Sequence, residues 1–177
     1  MNTRPQPFEQ FYDLRRLSEA GTEIKITADE SALERLAQWL DAERVTSFKA
    51  MVSLKRTSPN RFDYKATFEC DLVQKSVVSL EPVAARVEER FTRELHLMDR
   101  HRSREPEGLM PLAPGDEGVP EEIDSPSYDL AAPILEELSL ALDPYPRAPG
   151  EEFTEIGTPL PAKVSPFAIL KKLKEGG

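Results

Sequence analysis

The alternation of hydrophobic and polar residues is clearest over residues 61–72, where every second side chain is apolar. A period of two is typical of a β-strand that buries one face and exposes the other. The same alternation runs through residues 47–54, and the turn signal at 57–60 separates the two segments. These patterns predict two neighbouring strands of an antiparallel meander. The inward residues of the stronger strand are Phe62, Tyr64, Ala66, Phe68, Cys70 and Leu72.

Further strands are predicted on both sides of this pair. Residues 23–26 alternate, and residues 75–80 predict another strand that ends before Pro82, because proline cannot donate to a central ladder. Apolar residues alternate again over 83–97, which predicts one strand or a pair of strands. We therefore expect an α+β fold, in which an antiparallel β meander is either open or curled into a partly open barrel, with helices packed on it.

Two helices are predicted from apolar stripes with helical spacing. The first covers 28–41, where Thr27 and Glu30 fit a capping box and Leu33, Leu36 and Leu40 share one face. The second starts near Asp129 or Ala132 and cannot continue through Pro144. Its stripe consists of Leu130, Ile134, Leu135, Leu138 and Leu142.

The chain of 177 residues divides by composition into a body and looser parts. We expect one domain from residues 1–98, completed by the helix within 124–146. Residues 99–123 are rich in charge, proline and glycine and predict a disordered acidic insert. Residues 147–177 predict a flexible tail that carries a short amphipathic segment near its end.

Charge is distributed unevenly around the net value of −9. Residues 105–155 hold 14 acidic side chains and one basic one, a balance of −13, whereas residues 1–104 balance at +1 and residues 156–177 at +3. An acidic average argues against broad nucleic-acid binding but leaves room for a local basic face. The single cysteine cannot form an intrachain disulfide, and no signal-like or membrane-spanning apolar run occurs, so we expect a cytoplasmic protein.

Sequence signals for catalysis are absent. There is no glycine-rich phosphate loop and no metalloprotease motif, and the two histidines, His96 and His101, do not suggest a metal centre. Cys70 lies on the apolar side of the best strand, which favours a buried core thiol. Glu136 and Glu137 are adjacent in the second helix, so we expect that they cannot both point into one site. We therefore predict no enzyme activity, no cofactor and no metal.

A basic cluster is the first candidate binding site. Arg86 and Arg90 share strand parity and can line one exposed face, where arginines fork well onto phosphates. Interleaved acidic residues offer a second explanation, which is cross-strand ion pairing. The candidate RNA- or phosphate-binding residues are Arg86, Arg90, Arg93, Arg100, Arg102 and Arg104.

The end of the chain is the second candidate site. Ser165 can cap a short helix with Pro166 in its first turn, and the apolar residues that follow have helical spacing. About ten residues are too few for a stable helix alone in water, so this segment either docks on its own domain or folds onto a partner. The candidate partner-binding residues are Phe167, Leu170, Lys171, Lys172 and Leu173.

Three segments together resemble the YceD-like family, which is named for accumulation of large-subunit ribosomal RNA. They are Val-Val-Ser-Leu-Glu-Pro-Val at 77–83, the run at 124–150 that ends in Ala-Leu-Asp-Pro-Tyr-Pro-Arg-Ala-Pro-Gly, and Ser-Pro-Phe-Ala-Ile-Leu-Lys-Lys-Leu-Lys at 165–174. The amino-acid sequences of the first two segments are similar to those of the alphaproteobacterial branch of the family. The resemblance implies a factor for synthesis or accumulation of this RNA and implies no catalytic residues.

The chain departs from many members of that family, which carry a Cys-x-x-Cys pair before the mid-chain proline and some a second pair after the double proline. The first pair falls here on Ser76 and Ser79, and residues 147–152 contain no cysteine. Hydroxyl groups are poor zinc ligands, so no structural metal is expected, and we expect packing to hold the hairpin at 73–83.

The sequence thus predicts a non-enzymatic factor for large-subunit (23S) ribosomal RNA and ribosome biogenesis. Its expected partners are precursor RNA or a ribosomal or assembly protein, with neither DNA nor membrane involved. A protein-interaction module unrelated to RNA is the alternative from another class. A metal-dependent RNA hydrolase is a further alternative, which would need clustered carboxylates that bind Mg²⁺.

Overall fold

The computed structural model describes residues 5–98 and 120–151, which form a mixed α+β fold. A five-stranded sheet has the order β2-β3-β4-β5-β6, and a two-stranded sheet pairs β1 with β7. A short 3-10 turn, Leu14–Arg16, follows β1. The elements are β1 Phe11–Asp13, β2 Thr22–Thr27, α1 Glu30–Leu40, β3 Arg44–Ser58, β4 Arg61–Lys75, β5 Pro82–Leu97, β6 Glu121–Ile123, β7 Ser127–Asp129 and α2 Ala131–Ala141.

The core lies on one face of the large sheet, as the alternation in β4 predicts. All six inward side chains of β4 between Phe62 and Leu72 are buried. Five of them pair in register with buried residues of β3, and Phe62 pairs with the half-buried Arg56. The helix α1 packs against β3, and α2 packs against β5 on the same side. Both helices therefore cover the apolar face, and neither covers the polar face of the sheet.

The helix α1 begins two residues later than the predicted capping box places it. Thr27 is the last residue of β2, and Asp29 is the N-cap, with its carboxylate accepting the Ala32 amide at 2.8 Å. That backbone hydrogen bond, followed by one from the Ser31 hydroxyl, holds the pKa of Asp29 below its usual range. The capping-box prediction was wrong because a carboxylate at Asp29 competes for the same orphan amides.

The small sheet closes the core over β4. The Leu130 amide donates to the Gln10 carbonyl, and the Gln10 amide donates to the Asp129 carboxylate, both at 2.8 Å. Leu130, which precedes α2, is fully buried. The first turn of α2 therefore sits where the two sheets meet, which fixes the position of the helix on β5.

The sheet differs from the predicted meander in two places. The first is residues 76–80, which form a turn, so the strand predicted at 75–80 is wrong. Residues 82–97 form one strand, which is one of the two predicted alternatives. Residues 121–123, placed at the end of the predicted insert, form β6, which runs parallel to β5. Within the described ranges the sheet is not a closed barrel, because β2 and β6 lie at its opposite edges. Most of the predicted insert, residues 99–119, lies outside the described residues.

The turn at 76–80 is held by hydrogen bonds, where packing alone was expected. Ser76 is fully buried, and its hydroxyl accepts the amides of Val78 and Ser79 and donates to the Glu151 carboxylate. The Val77 amide donates to the Pro146 carbonyl at 2.9 Å. Residues 146–151, placed partly in the predicted tail, thus belong to the folded body. No helix in the described part of the chain is long and apolar enough to cross a membrane.

Candidate nucleic-acid interface

The three described arginines of the basic cluster lie on two faces of β5. Arg86 and Arg90 pair in register with Asp71 and Thr67 of β4, on the polar face, as their spacing predicts. Arg93 pairs with the buried Tyr64 and therefore lies on the core side, near α2. The structure does not bring Arg93 together with the other two arginines.

Arg86 is surrounded by carboxylates. Its guanidinium lies 2.9 Å from Glu69, 3.4 Å from Asp71 and 2.5 Å from Glu88. The hydrogen bond to Glu88, with the charges of its neighbours, raises the pKa of Arg86 above its usual value. An incoming phosphate would compete with three carboxylates for this side chain, so Arg86 is a weak anion site.

Arg93 joins the sheet to the second helix. Its Nη2 atom donates to Glu136 at 2.6 Å and to Glu137 at 3.0 Å, and its Nη1 atom lies 3.5 Å from Glu121 of β6. Burial alone would lower the pKa of Arg93, but its hydrogen bonds to Glu136 and Glu137 raise the pKa above its usual value. Its guanidinium also lies 5.5 Å from the Phe91 ring centre.

The expectation that Glu136 and Glu137 cannot reach one site was wrong. Both carboxylates meet the same guanidinium, because Arg93 lies beside the helix and long glutamate side chains reach it from adjacent positions. Arg93 partly neutralises them. This cluster therefore links β5, β6 and α2, and we assign it a structural role.

Arg90 has a different environment from Arg86. It is exposed, and within residues 5–98 and 120–151 no carboxylate pairs with it. On the polar face, Arg90 lies opposite Thr67 of β4, Thr67 lies opposite Met51 of β3, and Met51 lies opposite Lys25 of β2. Lys65 lies two residues from Thr67 on β4 and therefore points to the same face. Lys25 and Lys65 are likewise exposed and make no ion pair with a described residue. We call Lys25, Lys65 and Arg90 the central basic patch.

The central basic patch suits an anion that lies across the sheet. Strands are about 4.8 Å apart, so three strand spacings between Lys25 and Arg90 span about 14 Å. Hydroxyl groups of Ser53, Thr67 and Thr92 lie between the cations on the same face. Among the described residues of that face there is no Phe, Tyr or Trp side chain, which favours phosphate contacts over base stacking.

Lys25 and Lys65 were missed in the sequence because they are far apart along the chain. Their proximity depends on the pairing register of β2, β3 and β4, and no local motif reports it. The only available signal was that both occupy polar positions of alternating strands. The candidate residues outside the described part of the chain are Arg100, Arg102, Arg104, Phe167, Leu170, Lys171, Lys172 and Leu173.

Other reactive groups are confined to the core or are scattered. Cys70 is buried, and burial raises the pKa of its thiol to about 12. Where the structure describes the chain, no group of three or more His, Cys, Asp or Glu side chains is arranged to hold a metal ion. Comparison with known proteins finds no matching family model, no matching curated protein and no matching solved structure.

Proposed function

We propose that this protein is a YceD-like, non-enzymatic cytoplasmic factor that supports synthesis, processing or accumulation of large-subunit (23S) ribosomal RNA. It acts by contacting precursor RNA through the central basic patch, or by binding a ribosomal or assembly protein. The resemblance of segments 77–83, 124–150 and 165–174 to that family supports the ribosomal role. The geometry of the patch supports the RNA contact.

The contrast between Arg90 and Arg86 is the observation that carries the RNA contact. Both are exposed arginines on the same face of β5, but Arg86 faces three carboxylates and Arg90 faces Thr67. A cation that makes no ion pair keeps more of its attraction for phosphate than one that is held by three carboxylates. The two residues therefore serve as a matched pair of test and control.

RNA binding tests the proposal directly. Labelled transcripts that tile the large-subunit precursor RNA are titrated with the full chain and with the triple variant Lys25→Gln, Lys65→Gln, Arg90→Gln. We expect the triple variant to bind at least about tenfold more weakly at ~100 mM salt, with a log–log salt slope smaller by about two to three. Arg86→Gln removes one exposed arginine from the same face and is expected to change affinity by about twofold or less.

Arg90→Gln alone is the single-charge match to Arg86→Gln, and equal losses in these two variants would show that only bulk charge matters. No loss in the triple variant would exclude the patch. In cells, depletion of the protein is expected to lower the ratio of large-subunit to small-subunit ribosomal RNA. An unchanged ratio would contradict the ribosomal role.

A protein-interaction module unrelated to RNA is the second candidate function. Val77, Leu80 and Tyr145 are exposed by 46%, 73% and 68%, and they lie on the two segments that Val77 and Pro146 join. Exposed apolar groups that cluster are typical of protein contacts. Partner capture that survives both nuclease and high salt, with no RNA affinity in pure protein, would favour this candidate. Metal-dependent cleavage of RNA, lost on mutating a carboxylate, would instead favour the hydrolase.

A further inference from the structure

A groove lies beside α1 and is lined by both apolar and polar side chains. It has a volume of about 610 Å³ and lies between the extended segment 5–7 and the C-terminal half of α1. Such a volume is in the range of sites that accept several side chains. The apolar residues that line it are Pro5, Pro7, Ala37, Trp39 and Ala42.

One hydrogen bond joins the two walls of the groove. The Arg35 guanidinium of α1 donates to the Pro7 carbonyl at 2.7 Å, and a second bond, to the Ser31 hydroxyl of the same helix at 3.2 Å, orients the guanidinium. Trp39, the single tryptophan of the chain, is only partly buried at the groove. The site is therefore preformed and keeps an apolar wall accessible.

The surroundings of the groove are acidic. Residues 29–44 carry five acidic and two basic side chains, a balance of −3. Glu30 and Glu34 are exposed on α1 and are spaced four residues apart, which places them in one row that continues towards the groove residue Gln38. This environment favours a ligand that is apolar on one side and basic on the other.

We propose that the C-terminal segment 165–174 of this same chain docks in the groove beside α1. The sequence predicts a short helix there, with Phe167, Leu170 and Leu173 on one face and lysines towards its end. The apolar face would fill the groove, and Lys171 and Lys172 would approach the acidic row of Glu30 and Glu34. Tail residues 156–177 balance at +3 against −3 around the groove.

The position at which the described chain ends supports this occupant. Glu151 is bound to Ser76, which follows the last residue of β4. Near the end of β4 the Val73 carbonyl accepts the Glu43 amide at 2.9 Å, and Glu43 directly follows the groove residue Ala42. The tail therefore begins at the end of the sheet where the groove lies.

The length of the tail is sufficient for docking. Phe167 lies 16 positions after Glu151, a span of up to about 55 Å when extended. A tethered segment experiences an effective concentration of order millimolar, so a weak intramolecular contact is enough to populate the docked state. The inference does not depend on RNA binding, and loss of RNA affinity in the patch variants would leave it intact.

Trp39 fluorescence in the full chain tests the docking. Acrylamide quenching and the emission maximum are measured for the wild type, for the variant Leu170→Asp, Leu173→Asp, and for Leu160→Asp. The last makes the same kind of change in the tail but outside the proposed docking segment. We expect greater quenching and a red shift in the double variant only, and we expect a synthetic peptide of residues 163–177 to restore shielding saturably.

A charge exchange adds specificity to this test. Glu30→Lys with Glu34→Lys, and separately Lys171→Glu with Lys172→Glu, are each expected to expose Trp39, whereas the combination of all four restores shielding. Circular dichroism melting confirms that each variant is folded.

Two outcomes would overturn the proposal. Equal quenching in the wild type and the Leu170→Asp, Leu173→Asp variant would show that the groove is vacant and serves another partner. Shielding that grows with protein concentration would show that a second copy supplies the segment.

Discussion

The Tyr64 hydroxyl donates to the Leu130 carbonyl at 2.8 Å, although the two residues are 66 positions apart in the chain. Both side chains are fully buried, so the bond ties the centre of β4 to the residue that precedes α2. Burial also raises the pKa of Tyr64 above its usual value, which keeps the hydroxyl a donor at every relevant pH. This contact and the Arg93 cluster both connect the large sheet to α2.

Tyr64→Phe is expected to lower the free energy of unfolding by about 1–2 kcal/mol. The substitution leaves the buried Leu130 carbonyl without this donor, and an unsatisfied buried acceptor is costly. Urea unfolding followed by circular dichroism measures the change. Tyr145→Phe is the matched control, because Tyr145 is 68% exposed, and we expect a change near zero. Equal effects of the two substitutions would contradict the role of the buried bond.

Arg93→Met is expected to destabilise the fold by about 1–3 kcal/mol. Only 24% of the Arg93 side chain is exposed, and its loss leaves Glu121, Glu136 and Glu137 close together without their cation. Arg86→Met provides the comparison, since exposed ion pairs contribute about 0–1 kcal/mol. The same urea titration distinguishes them. A larger loss in Arg86→Met would show that the exposed carboxylate cluster, and not the helix contact, stabilises β5.

The Cys70 thiol is expected to be unreactive in the folded protein. It is completely buried on β4, and with a pKa raised to about 12 it is almost entirely protonated at pH 8. Ellman's reagent should detect no thiol at pH 8 under native conditions and one thiol per chain in guanidinium chloride. Rapid native labelling would mean that the β3–β4–β5 core opens readily.

The contact between Ser76 and Glu151 is expected to weaken in acid. Hydrogen bonds from Ser76, then Ser79 and the Ala148 amide, hold the pKa of Glu151 below its usual range. A depressed folded pKa stabilises the fold above the ordinary glutamate pKa of about 4.3, and this contribution is lost as the pH falls through the lower folded value.

Glu151→Gln provides the reference for this effect. The melting temperature of the wild type is expected to exceed that of the variant at pH 7, and the difference is expected to shrink as the pH falls below about 4. Hydrogen exchange at the Val78 and Ser79 amides, which donate to Ser76, should accelerate in the variant. A constant difference in melting temperature from pH 7 to pH 3 would show that ionisation of Glu151 is not involved.

Local patterns in the sequence were sufficient to predict the main core but not the composition of the central basic patch. Alternation in β4 identified its buried residues, because successive side chains of a strand point to opposite faces and only one face of this sheet is covered. The same parity placed Arg86 and Arg90 together. The environment of each arginine was not predictable, since it depends on which residue of β4 lies opposite: Asp71 for Arg86 and Thr67 for Arg90.

Contacts between distant segments account for the other features of the structure that the sequence did not predict. Lys25 and Arg90 lie in the same row of the sheet only because of the pairing register of the two strands between them. No local sequence pattern predicts that register. The parallel strand β6 is only three residues long, too short for a periodic signal. Ser76 looked like a residue that had merely replaced a metal ligand, and its partner Glu151 lies 75 positions away.

The short length of β6 has a consequence for self-association. In the described ranges, β6 pairs only with residues 95–97 of β5, so the preceding part of that strand has no ladder partner on its outer side. Exposed edges of this kind recruit strands from other molecules. Six of the nine residues at 86–94 are charged, and a strand that added here would have to strip water from them. The charged side chains of this strand thus also protect the protein from aggregating through its edge.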